Sequence, residues 1–300
     1  MSKFSTITYG KWIFSGEHTV LRGGPALVFP LFKKKLELEY FHSDADQNLT
    51  FLASGENAAD ILELFPDVLT KALSILNIPQ EKIRGKIQFR NELPLGAGMG
   101  ASSSLCVAFS RWFHFLKLVK ENEIYEFARQ LENIFHGESS GVDIAVVMHE
   151  KPLVFKRPNS IEILEIRNTQ YLYLSHTGQK GITKECVTRV NNFIKANPID
   201  GKRVDDKMIK TTLEALQFYS RKNVGKNSSL ELAAVLNSGY ECFKEWGLTG
   251  GRVDSHINLL KSAGALAVKP TGSGGGGYVL SLWPKPIPEN LEFEMIPLFI

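Results

Sequence analysis

Three segments of this 300-residue chain carry residue types and spacings that could do chemistry. The first is Glu92-Leu93-Pro94-Leu95-Gly96-Ala97-Gly98-Met99-Gly100-Ala101-Ser102-Ser103-Ser104. Its glycines alternate, and small hydroxylated residues then open an apolar helical stretch. Glycine admits left-handed backbone and close approach of a ligand. Unpaired amides at a helix start, with the macrodipole, favour an anion there. A hydroxyl at Ser102 could also ligate a magnesium ion that bridges phosphates. No lysine follows the glycines as G-x-x-x-x-G-K-[ST] requires, and G-x-G-x-x-G is absent at this point. The plainer alternative is a glycine-rich turn with a serine N-cap.

The second segment is Thr271-Gly272-Ser273-Gly274-Gly275-Gly276-Gly277-Tyr278. Gly272, Gly274 and Gly277 match G-x-G-x-x-G, but a strand, Tyr278–Leu282, follows where a dinucleotide fingerprint needs a helix. So many glycines cost folding entropy. A tight loop beside a phosphate, or beside the other glycine loop, fits better than a flexible hairpin. The third segment is Gly10-Lys11-Trp12-Ile13-Phe14-Ser15-Gly16-Glu17-His18-Thr19-Val20. A strand carries Lys11, and a glycine turn presents Glu17 and His18; either charge alone also reads as a solvated side chain. Finally, Glu132 lies in the last turns of a helix. Downstream of it, Ser140-Gly141-Val142-Asp143 leads into an apolar run that reads as a strand. An aspartate at the mouth of such a strand suits a general base or metal ligand, or is a simple turn residue.

The elements that must position these groups follow from periodicity. Strands are expected at Lys11–Ser15, Ala26–Phe29, Leu36–Phe41 and Lys86–Arg90. Helical spacing covers Ala58–Leu76, bent or broken near Pro66. Helices follow at about Ser103–Val119 and Glu123–Phe135, with Gly137 as a left-handed C-terminal cap. Ile144–Met148, Leu153–Lys156, Ile161–Ile166 and Tyr171–Ser175 alternate like strands. Lys184–Ala196, Asp205–Tyr219 and Leu230–Phe243 carry helical stripes. The end is helix, strand, glycine loop, strand, and a last strand at Leu291–Ile296. Strands first and helices later argue an α+β fold in two lobes, dividing near Leu174–Gly181.

Composition narrows the class. The apolar fraction is 43% and the charged fraction 22%, ordinary values for a globular chain. A net charge of +3 demands neither nucleic acid nor anionic lipid. Cys106, Cys186 and Cys242 form no C-x-x-C pair, so a reducing, cytoplasmic setting is expected. The seven histidines show no zinc spacing. No apolar run is long enough to span a membrane, and Met1–Phe14 lacks the continuous apolar stretch of a signal peptide.

Taken in order, the segments resemble the motifs of the GHMP kinase superfamily over nearly the whole chain. Gly10-Lys11 through Gly16-Glu17-His18-Thr19-Val20-Leu21-Arg22-Gly23-Gly24-Pro25-Ala26-Leu27 is similar to the family's first motif. Pro94 to Ser103 is similar to the second. Gly137-Glu138-Ser139-Ser140-Gly141-Val142-Asp143 resembles the segment holding the catalytic aspartate, and Lys269 to Gly277 the third motif. Thr177-Gly178 with Thr183-Lys184 is similar to a substrate-side loop. Glu17-His18 without a following aspartate points to the members acting on mevalonate rather than galactose.

The resemblance implies a two-lobe α+β structure. Residues 1–175 would form a ribosomal-protein-like βαβ lobe that binds ATP, and 176–300 a ferredoxin-like lobe. It implies ATP-dependent phosphorylation of the primary hydroxyl of mevalonate. A neighbouring acceptor is the alternative: phosphomevalonate, another mevalonate hydroxyl, or a sugar. Asp143 would be the catalytic base with Lys11 beside it. Asn91, Gly96, Ala97, Gly98, Met99, Gly100, Ala101, Ser102 and Ser103 would bind ATP. Ser102 and Glu132 would hold Mg2+. Glu17, His18, Thr183 and Thr271 would meet a small-molecule alcohol. No nucleic acid or membrane partner is implied, and a homodimer is admitted. The chain departs from the family pattern at Tyr9, Ser139, Ile144, Glu150-Lys151-Pro152 and Pro270.

Overall fold

The structure, a computed structural model, describes residues 3–43, 48–136, 139–158, 160–222, 225, 227–287 and 291–299. In chain order the elements begin with β1 (Lys3–Ser15), β2 (Ala26–Phe41), β3 (Leu49–Ser54), α1 (Ala58–Leu76) and β4 (Gly85–Asn91). Then come α2 (Ala101–Phe115), α3 (Ile124–His136), α4 (Val142–His149), β5 (Leu153–Lys156), β6 (Ser160–Ile163) and β7 (Tyr171–His176). The remainder is α5 (Thr183–Ala196), α6 (Pro198–Ser220), α7 (Ser228–Glu245), α8 (Gly251–Ser262), β8 (Ala267–Pro270), β9 (Tyr278–Trp283) and β10 (Ile296–Pro297). The class is α+β, as expected.

Two compact units are built from interleaved segments. One takes the chain up to Lys11, Pro30–Leu95 and Met99–Glu150; the other takes Trp12–Phe29, Gly96–Gly98 and Lys151 onward. In the first unit β4 pairs antiparallel with the second half of β2 and parallel with β3. Parallel neighbours need a crossover, and α1 supplies it. Its buried positions Ile61, Leu64, Phe65, Val68, Leu69 and Ala72 recur every three to four residues. The helix runs through Pro66 unbroken. α2 is buried on almost every side, because α3 and α4 pack against it. That packing is what brings residues from three helices to one place.

In the second unit the start of β2 pairs with β5, and β5 with β6. A separate antiparallel sheet runs β10-β7-β9-β8. Trp12 stacks on Phe29 at 4.3 Å between ring centroids. Val190, Val204, Met208, Cys242, Phe243 and Trp246 form a core shared by α5, α6 and α7.

Four expectations are corrected. Ile144–Met148 is not a strand but most of α4. All but its last residue are buried, so the run has no polar face from which a period could be read. Ala26–Phe29 and Leu36–Phe41 are one continuous strand. The helix placed at Ser103–Val119 begins at Ala101 and ends at Phe115. Of the strand expected at Leu291–Ile296 only Ile296 is paired, opposite Leu174. Leu291, Phe293 and Met295 pack as irregular chain against a core that includes Val268 and Trp283. The cap expected at Gly137 lies outside the described residues.

Candidate active site

In the first unit the site starts from β1. Its residues from Gly10 to Ser15 are all buried, so Lys11, 3% exposed, needs a counter-charge. Asp143 supplies it, with Lys11 Nζ 2.8 Å from Asp143 Oδ2. The other oxygen, Asp143 Oδ1, is buried and accepts no hydrogen bond among the described residues. Asp143 stands in the first turn of α4, which Gly141 opens at φ 84°.

The glycine loop closes on the same lysine. Lys11 N–H donates to Met99 O at 2.9 Å. Gly100 caps α2 at φ 79°, and a Cβ there would lie 2.7 Å from Lys11 Cγ. Gly100 has no side chain to cap the first-turn amides, which leaves them free for an anion. Gly100→Ala is therefore expected to cost roughly 1–2 kcal/mol from left-handed strain alone. It should also displace Lys11 and depress turnover more than stability; urea unfolding beside a kcat measurement checks both.

Glu132 is 2% exposed on α3. Two buried hydroxyls donate to it: Ser103 Oγ to Oε1 and Ser139 Oγ to Oε2. Ser103, rather than Ser102, is thus the α2 serine that meets Glu132; Ser102 is half-buried one position earlier. Asn91 is fully buried, and its amide is committed to backbone. Its Nδ2 donates to Asn57 O and Leu93 O, each at 2.9 Å, and its Oδ1 accepts from Leu93 N–H at 3.1 Å.

The second unit gathers the remaining residues. Glu17 and His18 are buried, not solvated. Glu17 Oε1 lies 2.6 Å from Lys269 Nζ, with both side chains 1% exposed. Burial pulls the Lys269 ammonium below the ordinary lysine range, and Glu17 opposes that shift. Motif order alone gives Lys269 no role. The available signal was a lysine inside the short apolar strand Ala267-Val268-Lys269-Pro270, buried throughout.

Thr271 Oγ1 donates to Ile13 O at 2.8 Å and accepts from Ile13 N–H at 3.0 Å. One hydroxyl thereby replaces a missing ladder partner at the edge of β1. Thr183 Oγ1 is 3.4 Å from Ser273 Oγ. The two glycine segments meet here, as one alternative reading anticipated. Tyr278 N–H donates to Ala97 O at 3.3 Å, and a Cβ on Gly277 would lie 2.6 Å from that same oxygen. Gly96 accepts from Gly181 N–H at 3.2 Å.

His18 sits at φ 61° against Trp246 and Phe243. Its Nε2 is 2.9 Å from Ser273 O. A carbonyl only accepts, so Nε2 carries the proton and Nδ1 is the acceptor. Burial lowers the ring's pKa from 6.5 to about 4. The unfolded chain takes up a proton near pH 6.5 that the folded chain refuses until about pH 4. The stabilisation is complete above pH 6.5 and is lost as pH falls through this window, about 3 kcal/mol in all. Urea unfolding at pH 7.5 and pH 5 should show the loss begin in the unaltered chain, and His18→Asn should lack that component.

Residues 67–151 match the family model for the GHMP kinases N-terminal domain. The mevalonate kinase of Pyrococcus furiosus is 26% identical over 305 aligned residues, covering 91% of this chain and 87% of that protein. The mevalonate kinase of Archaeoglobus fulgidus is 25% identical, covering 94% and 93%. Among solved structures, L. major mevalonate kinase in complex with R-mevalonate superposes with a TM-score of 0.75 at 22% identity, covering 93% of this chain and 86% of that one. Residues 67–151 thus match the GHMP kinases N-terminal domain, and along nearly its whole length the chain is similar to mevalonate kinases in sequence and in its two-sheet α+β fold.

Proposed function

We propose that this chain transfers the γ-phosphoryl group of ATP to the primary hydroxyl of mevalonate, giving 5-phosphomevalonate and ADP. The observation that carries the reading is the pairing of buried Lys11 with half-buried Asp143, whose Oδ1 accepts no hydrogen bond among the described residues. Its setting, a glycine-capped helix start in the same unit, supports a phosphate ligand. The named relatives supply the acceptor.

The assigned roles follow from the chemistry of each group. The first-turn amides Ala101, Ser102 and Ser103, with Gly96 to Gly100, bind the phosphates of ATP. Asp143 takes the proton of the acceptor hydroxyl as its oxygen bonds to the γ-phosphorus. The bond to the leaving oxygen of ADP breaks in the same displacement. Lys11 holds the carboxylate in place and balances charge as that proton moves. Such a reaction asks for positioning and charge stabilisation rather than covalent catalysis.

Glu132, Ser103 and Ser102 offer only oxygen donors, which suit a hard divalent cation. These residues would hold Mg2+, which would supply neutralisation of the phosphate charge. His18 and Thr183 are assigned to the acceptor, with Glu17 and Thr271 supporting them through Lys269 and the β1 backbone.

No described helix is long and apolar enough to cross a membrane. The three cysteines are free and buried, which suits a reducing compartment, and we assign the cytoplasm. A homodimer is the assembly to test, by sedimentation equilibrium. The deciding experiment is ADP release with Mg2+ and ATP, comparing mevalonate, phosphomevalonate, galactose and homoserine. Turnover with mevalonate alone supports the reading. Preference for another of the four moves the substrate and leaves the kinase chemistry, and turnover with none overturns the acceptor assignment.

A further inference from the structure

Ser139 stands where two parts of the first unit's site meet. It is 3% exposed, and its hydroxyl makes two hydrogen bonds of opposite sense. Oγ–H donates to Glu132 Oε2. The same oxygen accepts from Gly141 N–H at 3.0 Å. The residue is itself fixed from behind, its N–H donating to Asn133 Oδ1 at 2.7 Å. Gly141 is the left-handed residue that opens α4. Its carbonyl accepts from Ala145 N–H at 2.9 Å, the first bond of that helix, and from Tyr125 Oη at 3.3 Å. Two residues on, Asp143 pairs with Lys11. A continuous path therefore runs from the Glu132 carboxylate through one hydroxyl and one glycine amide to the turn that aims Asp143.

We propose that Ser139 is a positioning residue that couples divalent-cation binding at Glu132 to the placement of Asp143. The proposal rests on the magnesium role given to Glu132 above. A hydroxyl donating to a metal-binding carboxylate fixes which oxygen faces the ion and how the group is turned. Here the same hydroxyl also holds the amide that starts α4, so a change at one end is felt at the other. Polarisation along such a chain strengthens both bonds. A residue without a side-chain hydroxyl at this position makes neither bond. Along this path, among the described residues, lie the charged groups Glu132 on α3, Asp143 on α4 and its partner Lys11 on β1.

The test uses Mn2+ as the probe, with ADP present, read by the loss of its free electron-spin signal. Ser139→Ala should weaken Mn2+ binding by about 10–100-fold, the range for loss of such a supporting contact. The Mg2+ concentration for half-maximal turnover should rise in step. At saturating Mg2+, kcat should still fall while the KM for ATP stays within a few-fold, because the misplaced turn acts on the base. Ser139→Thr keeps the hydroxyl and should restore both readouts. A purely structural role would lower the melting temperature without moving Mn2+ affinity, and that result overturns the proposal, as does equal loss in the alanine and threonine variants. Glu132→Gln separates the two layers. If it binds Mn2+ as the unaltered chain does, the magnesium assignment falls and the proposal with it. If it loses Mn2+ while Ser139→Ala does not, only the role of Ser139 falls.

Discussion

Asp143→Asn should lower kcat by about 10²–10⁴-fold, the usual contribution of a positioned general base, with the KM for ATP changed only a few-fold. Asparagine keeps the shape of the side chain and can still meet Lys11 through its amide oxygen. It cannot take a proton. The open Oδ1 is the atom at stake, since Oδ2 is already engaged at 2.8 Å by Lys11 Nζ. Steady-state ADP release measures kcat, and calorimetric titration with ADP checks that the nucleotide still binds. A kcat within ten-fold of the unaltered chain would remove Asp143 from the role of base.

Lys11→Met extends the same test. Its loss leaves the Asp143 carboxylate without the ammonium that balances it, and kcat should fall by a comparable factor. The two residues act as one unit, so the Lys11→Met/Asp143→Asn double variant should be scarcely worse than either single change. Losses that multiply would instead mean two independent contributions. The ion pair would then be a structural coincidence of β1 and α4.

Much of this site was legible in the sequence, and the misreadings have particular causes. Lys11 and Asp143, which the structure pairs, stand out together in the sequence because motif order over the whole chain carries long-range information that a local window lacks. The element under Asp143 was misread because Ile144-Ala145-Val146-Val147-Met148 is apolar throughout. A short buried run fits a strand or a helix equally well until its neighbours are known, and here α2 and α3 decide it. That Ser103 Oγ meets Glu132 follows from the start of α2 at Ala101, because adjacent helical residues point about 100° apart, and a helix begun at Ser103 hides it. The pairing of Glu17 with Lys269 spans most of the chain, and nothing local announces it. What was legible was the oddity of a lysine in an apolar strand, which by itself calls for a carboxylate somewhere.

That pair carries the largest expected change in stability. Lys269→Met should destabilise the chain by about 3–5 kcal/mol, because it removes the ammonium from beside a carboxylate that is 1% exposed. At roughly 2 °C or more per kcal/mol for a chain of this size, the melting temperature should fall by roughly 6 °C or more. Thermal and urea unfolding check it, and a loss under about 1 kcal/mol would mean that water reaches Glu17. Replacing both charges, Glu17→Leu with Lys269→Met, removes the desolvation cost along with the attraction. That double variant should recover most or all of the lost stability, since apolar residues of similar volume commonly match a buried pair. Its activity is then the informative number. Glu17 precedes His18, and Lys269 lies two residues before Thr271, whose hydroxyl holds the Ile13 backbone at 2.8 and 3.0 Å. A directional ion pair fixes the register of these neighbours, and apolar contact does not. The double variant should therefore fold with near-native stability yet show a raised KM for the acceptor, with the KM for ATP unmoved. If stability and acceptor KM both return to the unaltered values, the pair serves neither purpose that its burial suggests.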